Sequence, residues 1–330
     1  MSGTSLKIAA VQAAPVFLDR AATVEKACAL IEKAAREGAR LVVFPETFIP
    51  TYPDWVWRIP PQEHSLLNEL YAELLEQSVE IPSDTTEVLC RAAKRANAYV
   101  VMGLNERNSE ASNASLCNTL LFIDDQGQIL GKHRKLVPTS PERMVWGPGD
   151  GSTLRVYDTA VGKVSGLICW ENYMPLARYA MYAWGTQIYL APTWDSGETW
   201  VATLRHIAKE GRVYVVGCCI ALRKDDIPDR YDFKKKYYAE QGEWINVGDS
   251  AIVHPSGKLM AGPLSKKEDI LYADIDTRQM QGLRRVLDVA GHYARPDVFE
   301  LIVHTAPRPI VATETSSAGP SAAPESTDQE

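Results

Sequence analysis

KVSGLICWENYMPLARYAMYAWGTQIYLAPTWD, residues 163–195, contains a complete β-α-β unit, and its reading decides the fold. Val164 to Ile168 is an apolar run with the length of a buried strand. Pro175, followed by Leu176, Ala177, Ala180, Met181 and Trp184 at helical spacing, predicts a helix that opens on its proline. Gln187 to Ala191 returns as a second strand. Cys169 falls between the first strand and the helix. A thiol at a strand end that faces a helix N-terminus meets unpaired N–H groups and a partial positive charge, and both favour a thiolate. Free cysteine is also among the most buried residue types, so for a lone Cys a packing role is the more common reading, and a chemical one depends on what else the chain brings to it.

The same alternation extends in both directions. Lys7 to Gln12 reads as a strand, Val24, Ala27, Cys28, Ile31, Ala34 and Ala35 as a helix that stops at Gly38, and Arg40 to Phe44 as the next strand. A β-α-β opening implies neighbouring parallel strands joined by a right-handed crossover, hence an α/β fold. Further on, Leu66 to Gln77 and Ser83 to Asn97 are predicted helices, and Tyr99 to Leu104 is a strand. Leu116 to Ile123 and Gln128 to His133 form a hairpin around Asp124-Asp125-Gln126-Gly127, which makes the sheet mixed. Lys132 to Ser152 is a long charged loop, and Thr153 to Tyr157 is a predicted strand leading towards residue 163. After the central unit come a helix over Thr199 to Glu210, a strand over Arg212 to Ala221 and a hairpin of Ser250 to His254 with Lys258 to Ala261. Ile270 to Ile275 adds a strand, and Thr277 to Arg285 a helix. Arg223 to Tyr238 has mixed charge and no period, which predicts a solvated excursion. From residue 313 the chain has no large apolar residue, so residues 1–312 are expected to form one domain and 313–330 a disordered tail.

Composition narrows the chemistry. With 330 residues and a formal charge of −7, and no basic run longer than Lys234 to Lys236, the chain presents no surface for nucleic acid or an anionic membrane. No apolar stretch reaches 18 residues and the opening MSGTSLKIAA lacks a long apolar core, the pattern of a cytoplasmic protein. Six cysteines without a CxxC pair read as reduced thiols, and the scattered histidines offer no zinc or iron spacing. A metal-free reaction on a small molecule is the expectation.

Three reactive residues stand at suggestive places. Glu46 follows the apolar strand ending at Phe44, Lys135 lies in the charged loop, and Cys169 ends a later strand. Together they form a complete chemical set: a thiol nucleophile, a carboxylate to take its proton, and an ammonium to neutralise a developing anion. The segment TFIPTYPDWVWRIPP, residues 47–61, is irregular and rich in aromatics, and either walls a pocket or packs on itself. Gly147, Gly149 and Gly151 neither follow a strand nor open a helix, so a phosphate cradle is not indicated.

On FPETF (44–48), HRKLVPTSPERMVWGPGDG (133–151) and GLICWENYMPLARYAMYAWG (166–185), the chain resembles the nitrilase branch of the carbon–nitrogen hydrolase superfamily. The likeness runs from KIAAVQAAP at residue 7 to GHYARPDVF ending at 299, with 89 and 34 residues separating the three reactive groups. It implies a four-layer α-β-β-α sandwich with mixed sheets, no cofactor, a small-molecule nitrile as substrate, and a homo-oligomer, either a dimer or a larger spiral or ring. By the same resemblance, Glu46 is the general base, Lys135 stabilises the tetrahedral intermediate, Cys169 is the nucleophile and Glu142 is a supporting carboxylate. The oxyanion and substrate pocket is expected at Trp170, Tyr52, Thr193 and Trp194. Amidases and carbamoylases share the triad, and a cyanide-hydrolysing enzyme is a further variant. The Cys-Trp-Glu triplet at 169–171 and the sequence from Arg178 to Ser196 are similar to nitrilases.

Overall fold

A computed structural model describes residues 5–309 and 311. The first half of the chain forms β1 (Leu6–Gln12), α1 (Arg20–Arg36), β2 (Ala39–Val43), α2 (His64–Gln77), α3 (Asp84–Ala96), β3 (Tyr99–Arg107), β4 (Leu116–Ile123) and β5 (Ile129–Arg134). The second half forms β6 (Tyr157–Thr159), β7 (Gly162–Gly166), α4 (Pro175–Ala183), β8 (Ile188–Thr193), α5 (Glu198–Gly211), β9 (Tyr214–Cys219) and β10 (Ala221–Arg223). It continues with α6 (Asp232–Tyr237), β11 (Trp244–Val253), β12 (Leu259–Ser265), β13 (Asp269–Ile275) and α7 (Arg278–Arg284).

Two mixed sheets result. The first has six strands in the order β13-β1-β2-β3-β4-β5, and the second has seven, β10-β11-β9-β8-β7-β6 with β12 beside β11. Parallel pairs form each centre, β1–β2–β3 and β7–β8–β9, and antiparallel pairs form the edges. Side-chain alternation sorts the layers. On the first sheet Ala9, Val11, Val42, Val100 and Met102 face a core shared with α1 and α3. Ile8, Ala10, Leu41, Val43, Val101 and Leu120 face the second sheet. On the outer side of the second sheet Leu204 of α5 lies over Gly217, where a Cβ would come within 2.3 Å of its methyl. The expected four-layer sandwich is the architecture found.

Three local expectations are corrected. Residues 153–157 are not a strand: Asp150 accepts from Ser152 N at 3.0 Å, closing a 3-10 turn over Gly151–Thr153, and the strand begins only at Tyr157. The apolar run from Arg212 is two strands, β9 and β10, separated at Ile220. Arg223 to Tyr238 is not a solvated excursion. Its Ile227, Tyr231, Phe233 and Tyr238 are buried in the cluster that holds Phe17 and Trp55, while charges such as Lys234–Asp229 at 2.8 Å and Arg230–Glu73 at 3.2 Å pair off. Charge averaged over the segment concealed four buried apolar positions. The tail from residue 313 lies outside the described residues. Among the described residues no helix is long and apolar enough to cross a membrane.

Candidate active site

Glu46, Lys135 and Cys169 lie beyond the ends of β2, β5 and β7. In open α/β sheets the crevice outside the carboxyl ends of strands is where ligands bind. Glu46 reaches its place because the chain turns sharply after Phe44, whose N–H continues the sheet to Val101 O, and Thr47 takes a positive φ of 44°. Gly103 of β3 makes room for that turn: a Cβ there would lie 1.9 Å from Pro45 O and 2.7 Å from Thr47 N. Both obstacles are backbone. Gly103→Ala is therefore expected to cost about 2 kcal/mol or more, the scale of overpacking, visible as a lowered urea midpoint.

Lys135 is completely enclosed. Its Nζ donates to Glu46 Oε1 at 2.9 Å and to Glu142 Oε2 at 2.7 Å. Glu142 also accepts from Thr139 N at 2.7 Å and, through Oε1, from the Tyr52 hydroxyl at 2.7 Å. Glu46 Oε1 takes a further bond from Asn118 Nδ2 at 2.6 Å, whereas its Oε2 is buried with no partner. One carboxylate oxygen is thus left for a bound molecule. Carboxylate oxygens of Glu46 and Glu142 and the Cys169 sulfur lie within 4.8 Å of one another. Two carboxylates and a thiolate suit a divalent cation, but the Lys135 ammonium already stands between the carboxylates as their counter-charge.

The electrostatics follow from burial. Desolvation pushes the Cys169 thiol up and the Glu46 carboxylate adds to this, while Lys135 and the Thr193 hydroxyl act in the opposite direction. Burial also raises the Glu46 carboxyl, against the pull of Lys135. For Lys135 burial favours the neutral amine, but Glu46, Cys169 and Glu142 overcome it and hold the ammonium well above its ordinary value. Burial and the Glu46 charge thus oppose ionisation of the Cys169 thiol, and the Lys135 ammonium favours it.

Cys169 does not face the start of a long helix. It opens a 3-10 turn over Cys169–Tyr173 with φ of 51°, and α4 begins only at Pro175. A non-glycine residue held at positive φ costs on the order of 1–3 kcal/mol and persists only where its surroundings over-determine it. Here Asn172 Nδ2 donates to Leu167 O at 3.0 Å and to Cys169 O at 2.8 Å, and Asn172 is gripped by Tyr189 and Arg178.

The carbon–nitrogen hydrolase family model matches residues 7–285. The chain is 42% identical over 313 residues to a nitrilase of Bradyrhizobium diazoefficiens, covering 93% of this chain and 94% of that one. The chain belongs to the carbon–nitrogen hydrolase family. An aliphatic nitrilase of Sinorhizobium fredii is also 42% identical, over 94% of this chain and 99% of its own. In fold the hydrolase is similar to the crystal structure of Saccharomyces cerevisiae Nit3, at a TM-score of 0.68 and 23% identity, over 89% of this chain and 97% of that one.

Every site residue expected from the sequence of this carbon–nitrogen hydrolase falls in one neighbourhood. Tyr52, Glu142, Cys169, Trp170 and Trp194 line a cavity of about 250 Å³, and Thr193 lies beneath it beside the thiol. Tyr52 stacks on Trp194 at 4.4 Å between ring centroids. Trp170 is half exposed, and its indole donates to Asp195 at 2.9 Å. Asp54, paired with Arg58, also lines the cavity, so the aromatic segment 47–61 does wall a pocket, whereas Ile245 and Asn246, which follow the segment misread as solvated, were missed. Sequence reasoning also missed Asn118 and Asn172, whose amides carry no pattern detectable along the chain.

Proposed function

We propose that this hydrolase converts an organic nitrile to the carboxylic acid and ammonia through covalent intermediates on Cys169. The identity of 42% to proteins named nitrilases, over nearly the whole chain, supports nitrile rather than amide as the substrate. The buried group of Glu46, Lys135, Glu142 and Cys169 supports the covalent route.

In this reading Cys169 Sγ attacks the nitrile carbon as its proton passes through Glu46 to the nitrogen, giving a thioimidate. Water adds to the C=N bond, the tetrahedral species expels ammonia, and a thioester remains. A second water, deprotonated by Glu46, cleaves the C–S bond and releases the acid and the thiol. The partnerless Glu46 Oε2 is suited to hold that water. Lys135 faces the negative charge of each tetrahedral species, and Glu142 holds the ammonium in place with its other oxygen tied to Tyr52. The Trp170 N–H lies in the first turn of the 3-10 segment, where N–H groups lack intrahelical acceptors, and it serves as an oxyanion donor.

Purified enzyme should release ammonia from at least one member of a panel of aliphatic, arylacetonitrile and aromatic nitriles and cyanide. It should do so more than about tenfold faster than from the matching amide, a transition-state preference of about 1.4 kcal/mol. Faster turnover of the amide would assign the site to an amidase or carbamoylase instead.

We further propose that the enzyme assembles as a homo-oligomer of at least two copies in a reducing compartment. Leu176 at 68% exposure and Phe299 at 77% border a groove between α4 and the C-terminal segment, exposed apolar side chains that a second copy could cover. The described cysteines are all free thiols. Sedimentation should show a dimer or larger species, and a monodisperse active monomer would refute the assembly.

A further inference from the structure

The reacting groups come from two different sheets. Glu46 and Lys135 follow strands of the first, whereas Cys169 and Thr193 belong to the second. Catalysis by these groups needs a fixed distance between the two sheets at this one edge, because a misplacement of about 1 Å can cost a hundredfold in rate. Apolar contact between sheet faces is non-directional and does not supply that precision.

We propose that Glu171, supported by His133, is the positioning residue that holds Lys135 and Cys169 in register across the two sheets. Glu171 Oε1 accepts from Leu136 N at 2.6 Å, and Oε2 accepts from Ile168 N at 2.6 Å. Leu136 directly follows Lys135, and Ile168 directly precedes Cys169. One carboxylate therefore joins the two backbones next to the cation and the nucleophile. His133 Nε2 contacts the same carboxylate at 3.0 Å, and its Nδ1 is 3.3 Å from Thr153 Oγ1, which accepts from Arg134 N at 3.1 Å. The other side of Lys135 is held by the sheet, its N–H donating to Asn118 O at 2.8 Å and its carbonyl accepting from Gly149 N at 2.8 Å. Glu171 is fully buried. Burial opposes its charge, but His133 and the two N–H donors keep the carboxyl below its ordinary value, so these bonds are to a carboxylate and about twice as strong as neutral ones. Capping the 3-10 turn would need only the bond to Ile168. The bonds to Leu136 and His133 reach the other sheet and have no role in a cap.

The proposal rests on the nitrile-hydrolysing reading, and its test is made separable from it. Glu171→Gln places an NH₂ against either Leu136 N or Ile168 N, so the link between the two backbones loses one of its two ends with little change in volume. In folded protein kcat should fall by roughly thirtyfold or more with KM within about threefold, because the pocket walls are carried by other segments. Alkylation of Cys169 by iodoacetamide, mapped to its peptide, should slow by roughly fivefold or more as Lys135 leaves the thiolate's neighbourhood. His133→Gln keeps both backbone bonds and should give a smaller loss in kcat and in alkylation, and it carries the test if the Glu171 variant does not fold. Leu89→Ala, in the core under α3, serves as a destabilised control with unchanged kcat. Glu171→Gln, or failing it His133→Gln, with kcat and alkylation rate within twofold of the parent would overturn the proposal. A parent enzyme inert on every nitrile would instead refute the substrate assignment, and the alkylation rates, which need no turnover, would still decide the positioning role.

Discussion

Cys169→Ala is expected to abolish ammonia release, with a loss on the order of 10⁴ or more, as when a covalent nucleophile is removed. The fold should survive. The site retains its positive φ with alanine, the replaced group is one sulfur, and the Asn172 amide still holds the carbonyl of residue 169. The destabilisation should be near the average for a point substitution, about 1 kcal/mol. A melting curve and a steady-state ammonia assay on the same preparation separate the two effects. Residual turnover above about 1% in a pure sample would exclude the covalent route, since a site without its nucleophile keeps only its binding and electrostatic assistance.

Lys135→Met is expected to lose roughly two or more powers of ten in kcat, the scale of removing a group that stabilises a developing oxyanion. If the lysine merely bound substrate, the change would appear in KM with kcat retained. The structure adds a second effect that the chain position of Lys135 does not suggest. Its ammonium is the counter-charge for two buried carboxylates, so its removal should also destabilise the fold by about 3–5 kcal/mol near neutral pH. The pH dependence has a definite sign. Burial already raises the Glu46 carboxyl above its ordinary value, and without the cation nothing of opposite charge offsets that rise. The unfolded state then loses its protons first, so the deficit grows as pH rises through that interval and shrinks in acid. The stability difference from the parent should therefore be smaller at pH 5 than at pH 8. Adding Glu142→Gln to Lys135→Met should recover part of the stability and none of the rate. A double variant that recovers rate in parallel with stability would show that Lys135 acts by structure alone.

The strand ends that carry Glu46 and Cys169 were legible because buried strands are short apolar runs and Pro175 marks a helix start. Lys135 was harder to place. It directly follows β5, which the sequence reading has as the second strand of a hairpin, but the charged stretch from Lys132 onward reads as a loop and gives no sign of where Lys135 points. The segment from Arg223 to Tyr238 shows the opposite failure. Its lysines and aspartates dominate the composition, yet four side chains spaced irregularly along it are buried, since a short helix with flanking turns shows neither the period of a long helix nor that of a strand. Ile245 and Asn246, at the start of the strand that follows, line the cavity.

By itself the sequence determined the alternation of strands and helices and the positions of Glu46 and Cys169 at the ends of strands. Both are local properties, set by residue type and by periods of two or 3.6 residues. Only the tertiary structure decided that Lys135 lies between Glu46 and Glu142, that one oxygen of Glu46 is left unpaired, and that Glu171 joins the backbones beside Lys135 and Cys169. Those facts depend on which strands become neighbours and how the two sheets face each other. A buried polar atom must find its partner wherever the fold brings one, and its distance along the chain does not indicate where that is.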